Sequence, residues 1–105
     1  MQRSRGLELI PVADILYFEA DQKYVTVRYH GGEALLDEPL KELEHEFAER
    51  FVRIHRSMLV AIKYLARLER GDDGAWYVQL KGLGSRLVVS RRHARAVKRR
   101  LLDAA

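Results

Sequence analysis

Alternation of apolar and polar side chains predicts short strands in the first part of the chain. Val25, Val27 and Tyr29 fall on one face of a strand, and the polar residues 20–23 before them are turn-like. The segment His30-Gly31-Gly32 is typical of a hairpin turn. The strands predicted here cover residues 7–10, 15–19, 24–29 and 33–36, the first of them limited by Pro11.

A helical period interrupts the strands in mid-chain. Leu40, Leu43 and Phe47 recur at helical spacing, and Pro39 suits the first turn of a helix. Strands then return, with predicted segments at residues 51–54, 58–62, 76–81 and 86–89. Residues 91–102 can form a basic helix with Ser90 as its N-cap. The pattern predicts a mainly β domain with one short mid-chain helix and allows a second helix at the end.

Composition adds that this is a single globular domain. The chain has 105 residues, of which 48% are hydrophobic and 32% charged, with two prolines. It has no cysteine, which excludes a disulfide framework and a thiol nucleophile and is consistent with a reducing cytoplasm. No apolar run reaches the length of a membrane span, so we expect a soluble cytoplasmic chain. We assign residues 1–6 to a tail or linker, 7–102 to the domain and 103–105 to a tail.

The charge of the chain is divided unevenly between its halves. Residues 1–50 contain six Lys/Arg and eleven Asp/Glu, a net charge of −5, whereas residues 51–105 contain thirteen and four, a net charge of +9. Such asymmetry favours a surface that binds a polyanion, although a basic surface that only maintains solubility would give the same count.

A catalytic centre is not indicated. His30 and His45 each lack the partner four residues away that a helical zinc site needs. The segment Gly82-Leu83-Gly84-Ser85 leads into a strand, whereas a phosphate-binding loop leads into a helix. We therefore expect no enzyme activity, metal or cofactor.

The first basic cluster is the segment FVRIHRS at residues 51–57. Arg53 and His55 project from one face of the strand, and Arg56 and Ser57 fall where the alternation breaks, which predicts a turn there. A guanidinium at a strand end can enter a DNA major groove and donate two bonds to guanine. For Arg53, pairing with a carboxylate of the helix is an equally good interpretation.

The second basic cluster covers residues 86–100, with seven Lys/Arg and no acidic residue. Like charges repel, so such a run is costly unless an anion lies opposite. In a helix, Ala94 and Val97 would face inward and the basic side chains outward. We expect Arg99 and Arg100 to belong to a frayed, solvated end, but not Arg91 and Arg92, which follow a strand.

Together these segments resemble the LytTR family of DNA-binding domains, the output modules of many bacterial response regulators. The matching blocks occur in the family's order and span nearly the whole chain: residues 14–20, 24–27, 39–44, 51–57 and 89–92. The shorter blocks LLDEPLK, ERFVRIHR and VSRRH are similar to pseudomonad members of the family.

The resemblance implies an elongated, mainly β fold of about ten short strands in small stacked sheets. It also implies binding of double-stranded DNA through loops that enter successive major grooves. Pairs of modules would occupy direct repeats, and a receiver domain would precede the domain in a full-length regulator.

By position, the resemblance implies that Lys23, Arg56 and Arg92 contact bases. Some relatives carry asparagine at the place of Arg56, and an arginine there favours guanine over adenine. The implied phosphate contacts, which position the protein without specifying sequence, are Gln22, His55, Ser57, Ser90, Arg91, His93 and Arg95.

Two other functions remain open at this point. The domain could be a protein-interaction module that uses its sheet edges or its acidic half. It could also bind RNA, with Tyr17, Phe18, Tyr24 and Tyr29 as stacking surfaces, although core or sheet packing is the better explanation of these aromatic residues.

Overall fold

The computed structural model describes residues 9–104. In chain order the elements are β1 (Ile15–Ala20), β2 (Val25–Tyr29), β3 (Gly32–Leu36), α1 (Leu40–Glu46), β4 (Phe51–His55), β5 (Met58–Ala61), β6 (Leu65–Arg70), β7 (Trp76–Leu80), β8 (Leu87–Val89) and α2 (Arg91–Ala104). Single 3-10 turns at Val12–Asp14 and Ile62–Tyr64 precede β1 and β6.

The strands form two antiparallel sheets. The large sheet has the order β3-β2-β1-β5-β4, and the small sheet has the order β6-β7-β8. The turn between β2 and β3 is the predicted hairpin, with Gly31 at a φ of 110°, where a residue without a Cβ is favoured. Helix α1 connects β3 at one edge of the large sheet to β4 at the other.

Both faces of the large sheet are covered. On one face, Leu40 and Leu43 of α1 pack with Phe18 and Phe51, whose ring centroids lie 5.0 Å apart. The other face forms a second core with the small sheet and α2. Strand β5 lies between the two cores, so all of its residues, Met58–Ala61, are buried. This explains why the segment is continuously apolar.

Helix α2 is longer and better anchored than the sequence suggested. It has 14 residues, where the sequence allowed a helix over residues 91–102 with Arg99 and Arg100 in a frayed end. Val97 is fully buried in the second core. Arg100 donates from Nη1 to the Ala48 carbonyl at 3.2 Å and from Nη2 to the Glu49 carbonyl at 3.0 Å. The expectation of a solvated end is therefore wrong for Arg100, although Arg99 is exposed.

The predicted mainly β, elongated fold is confirmed, with extents of 43 × 28 × 25 Å. The described residues form eight strands where about ten were expected. Of the strand predicted at residues 7–10, residues 7 and 8 lie outside the described residues, and residues 9 and 10 are not in a strand. Strand β6 was not predicted at all. A register irregularity between Leu65 and Arg67 disturbs its alternation.

Candidate nucleic-acid interface

Three loops meet at one end of the large sheet, which we call the loop end. They are the β1–β2 loop (residues 21–24), the β4–β5 turn (residues 56–57) and the start of α2 (residues 90–93). The Ala20 N–H donates to the Ser57 carbonyl at 2.8 Å, which joins the first two loops. The Ser90 N–H donates to the Ile54 carbonyl, also at 2.8 Å, and holds the start of α2 beside β4.

The predicted base-contacting residues are distributed one to each of these loops. Lys23 lies in the β1–β2 loop, Arg56 in the β4–β5 turn and Arg92 in the first turn of α2. All three are exposed. The fold thus brings to one end three basic residues that are far apart in the sequence.

The β1–β2 loop is held by Asp21, a residue to which the sequence analysis gave no role. Its Oδ1 accepts the N–H groups of Lys23 at 3.0 Å and Tyr24 at 3.2 Å. These backbone hydrogen bonds lower the pKa of the Asp21 carboxyl. An aspartate followed by polar turn residues is a recognisable signal for such an Asx turn. Asp21 fixes the backbone at Lys23 and leaves the side chains of Gln22 and Lys23 exposed.

At the end of β4, His55 has a structural role besides its predicted phosphate contact. Its Nδ1 accepts the Ser57 N–H at 3.1 Å, which leaves Nε2 as the donor of the neutral ring. Burial lowers the pKa of His55, and the nearby positive side chains of Arg53 and Arg56 act in the same direction. His55 is therefore suited to contact a phosphate as a neutral donor.

Arg53 pairs with a helix carboxylate, one of the two interpretations that the sequence left open. Its Nη2 lies 2.7 Å from Oε1 of Glu44 on α1, and its Nη1 donates to the Arg56 carbonyl. The Arg53 side chain is only 18% exposed. Arg53 thus links α1 to the β4–β5 turn from the interior.

The start of α2 contains a second histidine whose ring is hydrogen-bonded through Nδ1. The Ser90 hydroxyl and Nδ1 of His93 are hydrogen-bonded at 2.6 Å, and the Ser90 carbonyl accepts the N–H groups of His93 and Ala94. Ser90 thus lies directly before the helix as predicted, with its hydroxyl bonded to the histidine ring. Burial lowers the pKa of His93, followed in importance by the charge of Arg92.

The basic side chains of α2 border two different depressions. An open groove of about 790 Å³ runs along the helix, with Val52, Ala96 and Leu102 among its lining residues. Its basic lining residues are Arg92, Arg95, Lys98, Arg99 and Arg100. Arg91 lines a separate depression beside Trp76 and the β6–β7 turn. The side chains of consecutive helical residues point about 100° apart, so Arg91 and Arg92 lie on different surfaces of the domain.

The aromatic residues considered for RNA stacking are largely part of the packing. Phe18 is fully buried, and Tyr17 and Tyr29 are partly buried against the two cores. Tyr24 is 36% exposed. Within residues 9–104, these four side chains do not form an exposed aromatic face.

The described part of the chain contains no cluster of three or more His, Cys, Asp or Glu side chains able to hold a metal ion. Over the same residues, no helix is both long and apolar enough to cross a membrane.

Comparison with known proteins identifies several relatives. The chain is 56% identical over 96 residues to the positive alginate biosynthesis regulatory protein of Pseudomonas aeruginosa, covering 90% of this chain and 39% of that protein. It is 35% identical over 98 residues to an uncharacterised response regulatory protein of Vibrio cholerae, covering 87% and 37%. A CO-responsive transcriptional regulator of Rhodospirillum rubrum is 29% identical over 85 residues, covering 80% and 36%. The chain thus spans less than two fifths of the length of these relatives.

The fold and the family model agree with these matches. The LytTr DNA-binding domain of a Bacillus cereus protein superposes with a TM-score of 0.82 over 96% of this chain and 93% of that chain; at 22% identity this likeness shows the fold alone. The family model described as LytTr DNA-binding domain matches residues 5–102. The predicted resemblance to the LytTR family is confirmed, and so is the predicted similarity to a pseudomonad member of that family. The chain therefore belongs to the LytTr family of DNA-binding domains.

Proposed function

We propose that this domain recognises a specific double-stranded DNA sequence as the output domain of a bacterial two-component transcription regulator. The observation that carries the proposal is the convergence of Lys23, Arg56 and Arg92 at the loop end. All three are exposed. Hydrogen bonds hold the backbone near each of them: Asp21 Oδ1 accepts the Lys23 N–H, Arg53 donates to the Arg56 carbonyl, and the Ser90 N–H donates to the Ile54 carbonyl just before Arg92. Anchored backbones reduce the entropy lost when the loops become ordered against DNA.

In this proposal the three loops enter successive major grooves. Arg56 and Arg92 can each donate two hydrogen bonds to the O6 and N7 atoms of guanine, and Lys23 can donate to the same acceptors. The proposed phosphate contacts are Gln22, His55, Ser57, Ser90, Arg91, His93 and Arg95. His55 and Ser57 are the chain neighbours of Arg56. In this proposal they contact phosphates of the DNA and so position the protein while Arg56 contacts a base.

The proposal extends to the full-length protein and its arrangement on DNA. The relatives are more than twice as long as this chain, and two of them are named as response or transcriptional regulators. We infer that the full-length protein has a receiver domain and acts in the cytoplasm. We also infer that two modules bind together to direct-repeat sites on DNA. A duplex with two half-sites, compared with a duplex with one, tests the pairing through the stoichiometry of the complex.

The test of sequence recognition begins with selection of duplexes from a random pool by the purified domain. Arg56→Ala and Arg92→Ala should each weaken binding to the selected duplex by about 1–3 kcal/mol and relax base preference at one position. Arg91→Ala should weaken selected and random duplexes alike and reduce the salt dependence of binding, as expected for a phosphate contact. Fluorescence anisotropy over a salt series measures both effects.

Arg67→Ala is the matched control, because Arg67 is an exposed arginine on β6 to which we assign no DNA contact. Equal losses on selected and random duplexes for Arg56→Ala and Arg92→Ala would refute base recognition by these residues. Failure of the selection to enrich any sequence would refute sequence-specific binding itself. Preferential displacement of the duplex by poly-uridine would favour the RNA alternative.

A further inference from the structure

The β4–β5 turn is fixed at three backbone atoms. The Arg56 carbonyl accepts from Nη1 of Arg53, the Ser57 N–H donates to His55 Nδ1 at 3.1 Å, and the Ser57 carbonyl accepts from the Ala20 N–H at 2.8 Å. The last two bonds come from the turn's own strand and from the adjacent strand. The first comes from a side chain that is also bound to another element.

Arg53 is held between α1 and the turn by the geometry of its guanidinium. One terminal nitrogen is 2.7 Å from Glu44 Oε1, and the other donates to the Arg56 carbonyl. Its Nε atom is buried and donates to no described residue. An unpaired buried donor costs free energy, which offsets part of what the ion pair contributes to stability. The two contacts of Arg53 are therefore better explained by the geometry that they impose on the β4–β5 turn than by a gain in the stability of the fold.

We propose that Arg53 is a positioning residue for base recognition, which orients the Arg56 side chain by holding the Arg56 carbonyl, and that Glu44 in turn orients Arg53. This inference rests on the proposed function. Arg53 itself does not contact DNA in this scheme. Because the carbonyl and Cβ of a residue are attached to the same Cα, fixing the carbonyl also limits the direction in which the Arg56 side chain leaves the turn.

A lysine cannot replace Arg53 in this role. The ammonium of lysine is a single point charge, whereas the planar guanidinium presents separate donors to Glu44 and to the Arg56 carbonyl at once. Arg53→Lys keeps the net charge of the domain, so its general attraction for DNA should be unchanged. Any loss confined to the selected duplex then reports on geometry.

The experiment compares the binding of wild type, Arg53→Lys, Glu44→Gln and Arg67→Lys to the selected duplex and to a random duplex of equal length. Arg53→Lys should lose about tenfold in affinity for the selected duplex and less than about twofold for the random duplex. Glu44→Gln should lose less, because Arg53 can still donate to the amide oxygen. Arg67→Lys, which makes the same chemical change on β6, should bind both duplexes as the wild type does.

A double-mutant cycle and a new selection separate positioning from a merely structural role. If Arg53 acts through Arg56, Arg53→Lys combined with Arg56→Ala should bind no more weakly than Arg56→Ala alone. Selection with Arg53→Lys should relax base preference at the position relaxed by Arg56→Ala. Additive losses, or equal losses on both duplexes, would overturn the inference.

Thermal unfolding of each variant accompanies the binding measurements. Should Arg53→Lys be unfolded at the assay temperature, Glu44→Ala, which removes the acceptor of Arg53 Nη2, carries the same test, and an unaltered base preference in that variant would overturn the inference. Wild-type protein that prefers no duplex would refute the proposed function. Wild-type preference retained in full by Arg53→Lys would refute only the positioning role.

Discussion

At the scale of single residues, His55 and His93 have similar environments on neighbouring loops. Nδ1 of His55 accepts the Ser57 N–H, and Nδ1 of His93 is bonded to the Ser90 hydroxyl. Burial is the largest cause of the lowered pKa in both rings. Protonation of the His55 ring would place a proton between Nδ1 and the Ser57 N–H and break that hydrogen bond. The folded turn thus favours the neutral form of His55.

We therefore predict that the domain loses stability on mild acidification. A histidine whose pKa is lowered by folding binds protons more weakly in the folded than in the unfolded state, so the free energy of unfolding decreases as pH falls through about 6.5, until the folded pKa is passed. Urea denaturation between pH about 7.5 and about 5.5 measures this effect. The pKa values of the Asp21 and Asp73 carboxyls are also lowered, but these groups affect the free energy of unfolding only at a more acidic pH.

His55→Asn tests the origin of this pH dependence. The asparagine oxygen can accept the Ser57 N–H but does not titrate, so the variant should show a smaller decrease in stability over the same pH range. Combination with His93→Asn should reduce the decrease further. A double variant whose stability falls as steeply as that of the wild type would show that other groups are responsible.

The sequence predicted which residues form the candidate interface, but it did not predict which partners surround them. Lys23, Arg56 and Arg92 were predicted from the family resemblance, and the structure places them at one end of the large sheet. Pairing of Arg53 could not be decided, because its partner Glu44 comes from an element that approaches only in the folded domain. Local patterns determine which positions are exposed, whereas partners from elsewhere in the chain depend on tertiary packing.

At the scale of secondary-structure elements, Arg100 connects α2 to the segment between α1 and β4. We predict that Arg100→Ala destabilises the domain by about 1 kcal/mol, because it removes hydrogen bonds to the Ala48 and Glu49 carbonyls. Arg99→Ala is the matched control, since it removes the same charge from an exposed position on the same helix. Urea midpoints compare the two variants, and equal midpoints would contradict a specific role of Arg100.

Helix α2 and strand β6 show why elements were predicted with unequal success. The run of basic residues in α2 suggested fraying, because repulsion is visible in the sequence while the anchoring of Val97 and Arg100 is not. In β6, the irregularity at Leu65 and Arg67 shifts the register, so a strict period of two fails. Strands β1, β2 and β3 have clear apolar faces or a glycine hairpin, and these were found.

At the scale of the whole molecule, the large sheet is shared by both cores. Strand β5 contributes Leu59 and Ala61 to the core beneath α1 and Met58 and Val60 to the core beneath the small sheet. Neither core can lose its packing without exposing a strand that the other core needs. The domain should therefore unfold as one cooperative unit.

Leu43→Ala tests this cooperativity. Leu43 is fully buried in the α1 core, whereas Trp76, the only tryptophan, packs against the other core. We predict a loss of about 3 kcal/mol, seen equally by tryptophan fluorescence and far-ultraviolet circular dichroism. Leu35→Ala, at an exposed position on β3, should change stability by less than about 0.5 kcal/mol. If the unfolding midpoint measured by fluorescence stays at the wild-type value while the midpoint measured by circular dichroism decreases, the two cores unfold independently.

The way the β4–β5 turn is held has a consequence for how this domain can evolve. The bonds that fix the turn end on the backbone of residues 56 and 57 and are supplied by Arg53, His55 and Ala20. None of them uses the side chain of Arg56. Position 56 can therefore accept a different side chain while the turn keeps its shape. Under the proposed base contact of Arg56, a single codon change there would alter target preference without unfolding the domain, and position 56 would be a suitable site for engineering new specificities.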